Sequence, residues 1–201
     1  MPINLLSLFS RNNNLRKELN DTVSALHSGI KDKDVFVRAL TIDMIGKLNE
    51  KKLLSQTIDA LSDSFHYIRL KAAETLGSLG DRKAVPALIK SLDDPSEEVK
   101  VTVAGVLGHL KDKTAVPALI AALEDKSPHT RMKAAISLGF IGDQRAIPAL
   151  GKALSDNNEL VRKYSCVALG RLGRKAIPVL LDAMKDDQIR AQASDSLLQI
   201  K

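Results

Sequence analysis

The chain of 201 residues has a single cysteine, no tryptophan and an aromatic content of 3%. One cysteine, Cys166, excludes an internal disulfide framework and any Cys-cluster zinc site. So few aromatic side chains count against a large aromatic ligand pocket and against base-stacking platforms for single-stranded nucleic acid. No run approaches the ~18–20 consecutive apolar residues of a membrane span. The opening MPINLLSLF is apolar but has no basic region and no small-residue cleavage site, so it is not read as a signal peptide, and a cytoplasmic protein is expected. Gly-x-Ser-x-Gly, phosphate-loop, dinucleotide, His-Glu-x-x-His and calcium-loop patterns are all missing. Neither a metal nor a cofactor is expected, and the chain is not read as an enzyme.

Apolar residues make up 44% of the chain, enough to bury a core. Thirty Lys and Arg against 24 Asp and Glu give a net charge of +6, which permits an acidic partner without demanding one. The dominant feature is an internal repeat. AVPAL at Ala84–Leu88 returns at Ala115–Leu119, then as AIPAL at Ala146–Leu150 and AIPVL at Ala176–Leu180. Pro86, Pro117, Pro148 and Pro178 stand 31, 31 and 30 residues apart, and the apolar columns continue back through Ser55 and Ser24. That makes six repeats.

Each repeat reads as two helices. The first opens at its proline, whose missing N–H costs nothing in a first turn. A turn follows with a recurrent Asp (Asp32, Asp63, Asp94, Asp125, Asp156, Asp186), suited to capping the free N–H groups of the next helix. The second helix, about 96–110 in the third repeat, has Val99, Val103, Val106, Leu107 and Leu110 on one face. A Gly recurs near its end at Gly46, Gly77, Gly108, Gly139 and Gly170, and Gly80, Gly142 and Gly173 lie just past it, where a left-handed cap favours Gly. One such pair cannot bury its apolar face alone, whereas stacked pairs share a core. The expected fold is all-α, an α-solenoid of about six helix pairs over residues 15–201. Residues 1–14, with Ile3, Leu5, Leu6, Leu8 and Phe9 before a polar RNNN break, are expected to form a cap or a docking segment.

The turn Asp, the apolar-Arg pair, Ala-Ala, Leu-Gly, Ile/Leu-Gly-Asp and Ala-Val/Ile-Pro-Ala-Leu together resemble the HEAT-like repeats named after phycobilisome (bilin) lyases. The resemblance covers about residues 20–201 and implies the solenoid fold. It also implies a range of roles, from bilin lyase subunits to scaffolds. Deoxyhypusine hydroxylase uses a similar repeat and holds di-iron with His-Glu pairs. Here His27, His66, His109 and His129 are followed by Ser, Tyr, Leu and Thr, so that activity is not implied.

Six residues after the Asp column come Arg38, Arg69, Lys100, Arg131 and Arg162, and Arg190 follows Asp186 by four. The matched acids favour a structural ladder within or between repeats over a phosphate-binding stripe. Lys100 lacks the guanidinium fork, so its rung is expected to be weaker. Acids predominate in the turns inside repeats. Bases such as Lys51, Lys52, Arg82, Lys83, Arg145, Arg174 and Lys175 predominate between them. Helix-dipole matching explains this, although the basic edge is also where nucleic acid would bind.

One face of each second helix is left over after core packing. Its columns vary in residue type and hold Phe36, Tyr67, Phe140 and Tyr164, four of the six aromatics, with Lys71, His109, His129, Lys133, Ile136 and Arg171 among them. Aromatics and Arg amid mixed charge mark protein–protein hot spots. The expected function is a non-catalytic scaffold or adaptor that grips another protein on the concave face. Tyr67, Phe140 and Tyr164 are the expected anchors, and Lys71, Lys133 and Arg171 would select an acidic surface. The alternatives are a bilin-lyase-like, chromophore-handling subunit and nucleic-acid binding through the basic edge. Cys166 shares a column with Ala73, Ala104 and Ala135 and reads as a packed thiol.

Overall fold

The computed structural model describes residues 5–200, with side chains from residue 17 onward. These residues form twelve α-helices joined by short 3-10 turns, and no strand. They run as α1 (Leu5–Gly29), α2 (Val35–Lys47), α3 (Leu54–Asp59), α4 (His66–Leu79), α5 (Val85–Lys90) and α6 (Glu97–Leu110). The second half holds α7 (Val116–Ala122), α8 (Pro128–Ile141), α9 (Ile147–Ala153), α10 (Glu159–Leu172), α11 (Ile177–Ala183) and α12 (Arg190–Leu198). Odd and even helices alternate as the first and second members of six helix pairs. The chain is an α-solenoid of such pairs, and it divides into two compact units, 1–79 and 80–201.

In the first unit, α1 and α4 pack against α2, and the core gathers Ile30, Ile42, Ile45, Leu53, Ile68 and Leu79, with Val23 and Leu26 of α1 against it. The polar Arg11–Asn14 stretch, expected as a break, is helical and continuous with α1. Neighbouring turns carry the backbone through it, and no Gly or Pro interrupts the helix. Ile3 and the side chains of Leu5, Leu6, Leu8 and Phe9 lie outside the described residues, and with them any contact of the expected cap.

In the second unit, α6 packs on α8, α8 on α10 and α10 on α12, while the short odd helices brace them from one side. Leu107, Leu138, Leu150, Leu169 and Leu180 are fully buried, as is Cys166. Burial pushes the Cys166 thiol up to about 11, which makes it inert. Each proline of the repeat sits in the first turn of its helix, preceded by a 3-10 turn.

Within each unit, successive second helices touch through the glycine column. A Cβ on Gly108 would stand 2.6 Å from Ser137 Oγ, one on Gly139 2.9 Å from Ala168 Cα, and one on Gly170 2.9 Å from the Ser196 carbonyl oxygen. The close approach lets a hydroxyl reach the neighbouring backbone. Ser137 Oγ donates to the Ala104 carbonyl at 2.7 Å, and Thr75 Oγ1 donates to that of Ile42 at 3.0 Å. These bonds satisfy buried polar atoms within the stack.

Candidate functional site: the ladder and the outer face of the second helices

The turn aspartates act differently from the expectation of helix caps. Oδ1 of each accepts from the N–H two residues on, as in Asp32 to Asp34, Asp63 to Phe65, Asp94 to Ser96, Asp125 to Ser127, Asp156 to Asn158 and Asp186 to Gln188. The residue reached is often the cap itself. Asp34 accepts from Phe36 N, Ser127 from His129 N and Thr130 N, and Asn158 from Leu160 N and Val161 N. The aspartate therefore folds the turn and the next polar residue starts the helix, because a tight Asx turn leaves the carboxylate one step short of the first helical N–H groups.

At Asp63, Asp125 and Asp156 the same carboxylate also receives the basic residue of the preceding repeat. Arg38 binds Asp63 through Nε at 2.9 Å and Nη2 at 3.1 Å, and its Nη1 donates back to the carbonyls of Asp32 and Lys33. Arg131 does the same with Asp156, Asp125 and Lys126. Lys100 makes one contact with Asp125, at 2.5 Å. Arg69 donates to the carbonyls of Asp63 and Ser64. Arg162 keeps the backbone half of the pattern, to Asp156 and Asn157, but its buried Nε has no partner. The last repeat is two residues shorter in its turn. There Arg190 pairs with the exposed Asp187 at 2.6 Å and donates to the Met184 carbonyl.

The outer face is described unit by unit. In the first, Phe36 is 74% exposed and Tyr67 47%. Lys71 lies 5.8 Å from the Tyr67 ring centre and pairs with Glu74 at 2.8 Å. The Glu74 hydrogen bond raises the Lys71 pKa above the usual lysine range. In the second unit, the Arg171 guanidinium stacks 4.3 Å from the centre of the exposed Phe140 ring, a cation–π contact worth about 0.5–1 kcal/mol at such a surface. The Lys133 stem lies along α6, 3.5 Å from where a Gly105 side chain would begin. His129 Nδ1 and Glu97 Oε1 are 2.8 Å apart. Hydrogen bonds from the Ser127 hydroxyl and then His129 hold Glu97 below the usual carboxylate range. Ile136 and Tyr164 are half-buried, and His109 is exposed.

Among the described residues, no group of three or more His, Cys, Asp or Glu is placed to hold a metal ion. No described helix is long and apolar enough to cross a membrane. Of the basic edge, Arg145 is engaged. It pairs with Asp143 at 2.9 Å and donates to the Lys113 carbonyl. Sequence reasoning missed the hydroxyls of Thr75 and Ser137. Their signal is a hydroxyl-bearing residue 29 positions after a column glycine, as Thr75 follows Gly46 and Ser137 follows Gly108.

The family model for HEAT repeats matches residues 23–99, 85–162 and 137–198. The chain is a HEAT-repeat protein. Among solved structures, this HEAT-repeat chain is similar to the complex of CpcE and CpcF of phycocyanin lyase from Nostoc sp. PCC7120. The identity is 28%, over 86% of this chain and 74% of that one, with a TM-score of 0.66. It is also similar to YibA of Escherichia coli, at 24% identity over 92% of this chain and 69% of that one, TM-score 0.68. A designed armadillo repeat protein in complex with the peptide (KR)4 shares the fold at 18% identity, 88% and 98% coverage and TM-score 0.64. No curated protein sequence matches the chain.

Proposed function

We propose that this HEAT-repeat protein is a non-catalytic scaffold that grips a protein partner on the outer face of its second helices. The carrying observation is the Phe140–Arg171 stack. A ring 47% exposed and held by a guanidinium is a preformed anchor, and its ordering is settled before binding. Tyr67 with Lys71 repeats the arrangement in the first unit. Arg171 and Lys133 add positive charge beside the rings, which suits an acidic, apolar segment of the partner. Selection of random peptides on the folded protein tests this. Acidic peptides with apolar residues should enrich, and the enrichment should vanish for Tyr67→Ala/Phe140→Ala/Tyr164→Ala. Peptides of no common character, or equal enrichment by the variant, would refute it.

A second reading rests on the similarity to the phycocyanin lyase structure, a complex of CpcE and CpcF. In that reading the chain is one subunit of a chromophore-handling pair, and the same face meets the second subunit or the bilin. Adding a linear tetrapyrrole to the purified protein separates the two. A shifted visible spectrum favours this reading, and an unchanged one leaves the scaffold.

A further inference from the structure

Charge on the outer face differs between the two units. In the first, α2 and α4 carry one lysine each, and both are neutralised within their own helix. Lys47 pairs with Asp43 at 2.6 Å and Lys71 with Glu74 at 2.8 Å. In the second, the acids of α6, α8 and α10 are Glu97, Glu98 and Glu159, all in a first turn, and none follows them. Lys100, Arg131 and Arg162 belong to the ladder. Among the described residues, Lys133, Lys163 and Arg171 have no carboxylate partner. Helix-dipole matching accounts for bases in a last turn, but Lys133 and Lys163 stand in the first half of their helices.

Two of these bases share a strip with apolar residues. Lys133, Ile136 and Phe140 follow one another along α8 at spacings of three and four, and Tyr164, Val167 and Arg171 take the matching positions of α10, 31 residues on. The bases thus occupy one diagonal of the strip and the rings the other. Lys163 lies off it, in the column of Val101 and Met132. Both strip bases lean toward the preceding helix. Lys133 Cδ lies 3.5 Å from where a Gly105 side chain would begin, and Arg171 Cδ 3.5 Å from where a Gly139 side chain would. The lean is shared, so their offset is kept. Seven residues of helix rise (~10 Å) and one helix spacing (~8–10 Å) set the two charges about 14 Å apart. Ile136, half-buried, stands between them.

An extended chain fits this span. It rises ~3.3 Å per residue and points alternate side chains the same way, so residues i and i+4 stand about 13 Å apart on one side, with i+2 between them. On a helix, residues that share a face stand ~10 Å (i+7) or ~16 Å (i+11) apart, on either side of the span. We infer that the partner lays an extended acid-x-apolar-x-acid segment on the second unit. Its carboxylates meet Lys133 and Arg171, and its apolar side chain rests on Ile136 between the Phe140 and Tyr164 rings. This rests on the partner-face reading above and gives that partner its chemistry.

Amide NMR of the full chain, titrated with two isomeric peptides, tests this. One carries Glu-Ser-Leu-Ser-Glu and the other Ser-Ser-Leu-Glu-Glu, each between glycine–serine flanks. The first should bind at least about fivefold more tightly and shift amides of α8 and α10. Lys133→Gln and Arg171→Gln should each remove most of that preference. Lys163→Gln takes away an equal charge off the strip and should leave the preference unchanged. Equal binding of the isomers, or as large a loss for Lys163→Gln, would overturn the inference and reduce the face to bulk charge. So would shifts confined to α2 and α4. A wild type that binds neither peptide overturns the inference alone if the random-peptide selection still enriches acidic, apolar sequences. It overturns the partner-face reading as well if that selection yields none.

Discussion

Arg131 ties two successive turns together with one guanidinium. Its Nε and Nη2 take both oxygens of Asp156, at 2.7 and 2.8 Å, while Nη1 turns back to the carbonyls of Asp125 and Lys126 at 2.9 and 3.2 Å. Both side chains are nearly buried, 13% and 11% exposed, so solvent screens the pair little. Truncating the arginine leaves a carboxylate and two carbonyls short of a donor. Arg131→Ala should therefore cost about 2–3 kcal/mol in urea unfolding, and Arg131→Lys a smaller part of that. Lys100→Arg should run the other way and gain up to about 1 kcal/mol, because the third rung has a single contact to improve. An Arg131→Lys change without cost would show that the fork geometry is irrelevant.

Two glycines on one helix should respond with opposite signs. A Cβ at Gly108 would fall on Ser137, with its Oγ, Cβ and Cα all within 2.6–2.8 Å, so α6 and α8 must part. Gly108→Ala is expected to destabilise by about 1–3 kcal/mol. At Gly105 the added methyl meets only the flexible Lys133 stem at 3.5 Å. Gly105→Ala should stabilise the helix by about 0.5–1 kcal/mol. Thermal unfolding of the pair decides it, and equal effects would contradict the close-approach account.

Lys111 ends α6 with φ of +51°, the left-handed conformation that Gly142 takes at the end of α8. An L side chain there carries roughly 1–2 kcal/mol of strain. Lys111→Gly should raise the melting temperature by a few degrees, net of the freedom glycine adds to the unfolded chain. A lowered melting temperature would mean that the lysine stem contributes more than its backbone costs.

Acid should unfold the protein through its ladder and turn carboxylates. Arg145 holds Asp143 down at about 2, and the Arg131 hydrogen bonds likewise lower Asp156. Both are depressed in the folded state. Their stabilisation is complete above the ordinary carboxylate pKa of about 4 and is lost as pH falls from there through about 2. Urea midpoints should be flat near neutrality and fall steeply below about pH 4, and Asp143→Asn should shallow that fall. A midpoint that rises on acidification would contradict the sign.

The period of 31 residues made the helix pairs, the turn aspartates and the left-handed glycines legible, because each needs one residue type at one backbone position. The direction of the rungs was not legible. An arginine six residues past one aspartate and 25 before the next can reach either, and Arg131 in fact uses its own turn's carbonyls and the next turn's carboxylate. On the outer face, sequence placed Phe140 and Arg171 in one column. Their stacking depends on the rise between repeats, which no spacing reveals. The long α1 hid behind the polar Arg11–Asn14 stretch, since polar residues mark a loop only when no neighbouring turns carry the helix through.

The most direct test of the scaffold account is a capture experiment from lysate of the source organism. Wild type is compared with a folded Tyr67→Ala/Phe140→Ala/Tyr164→Ala variant, and the eluates are read by mass spectrometry. The account predicts a protein retained by the wild type and lost by the variant. Identical eluates from both would contradict it and reduce the aromatic face to ordinary surface.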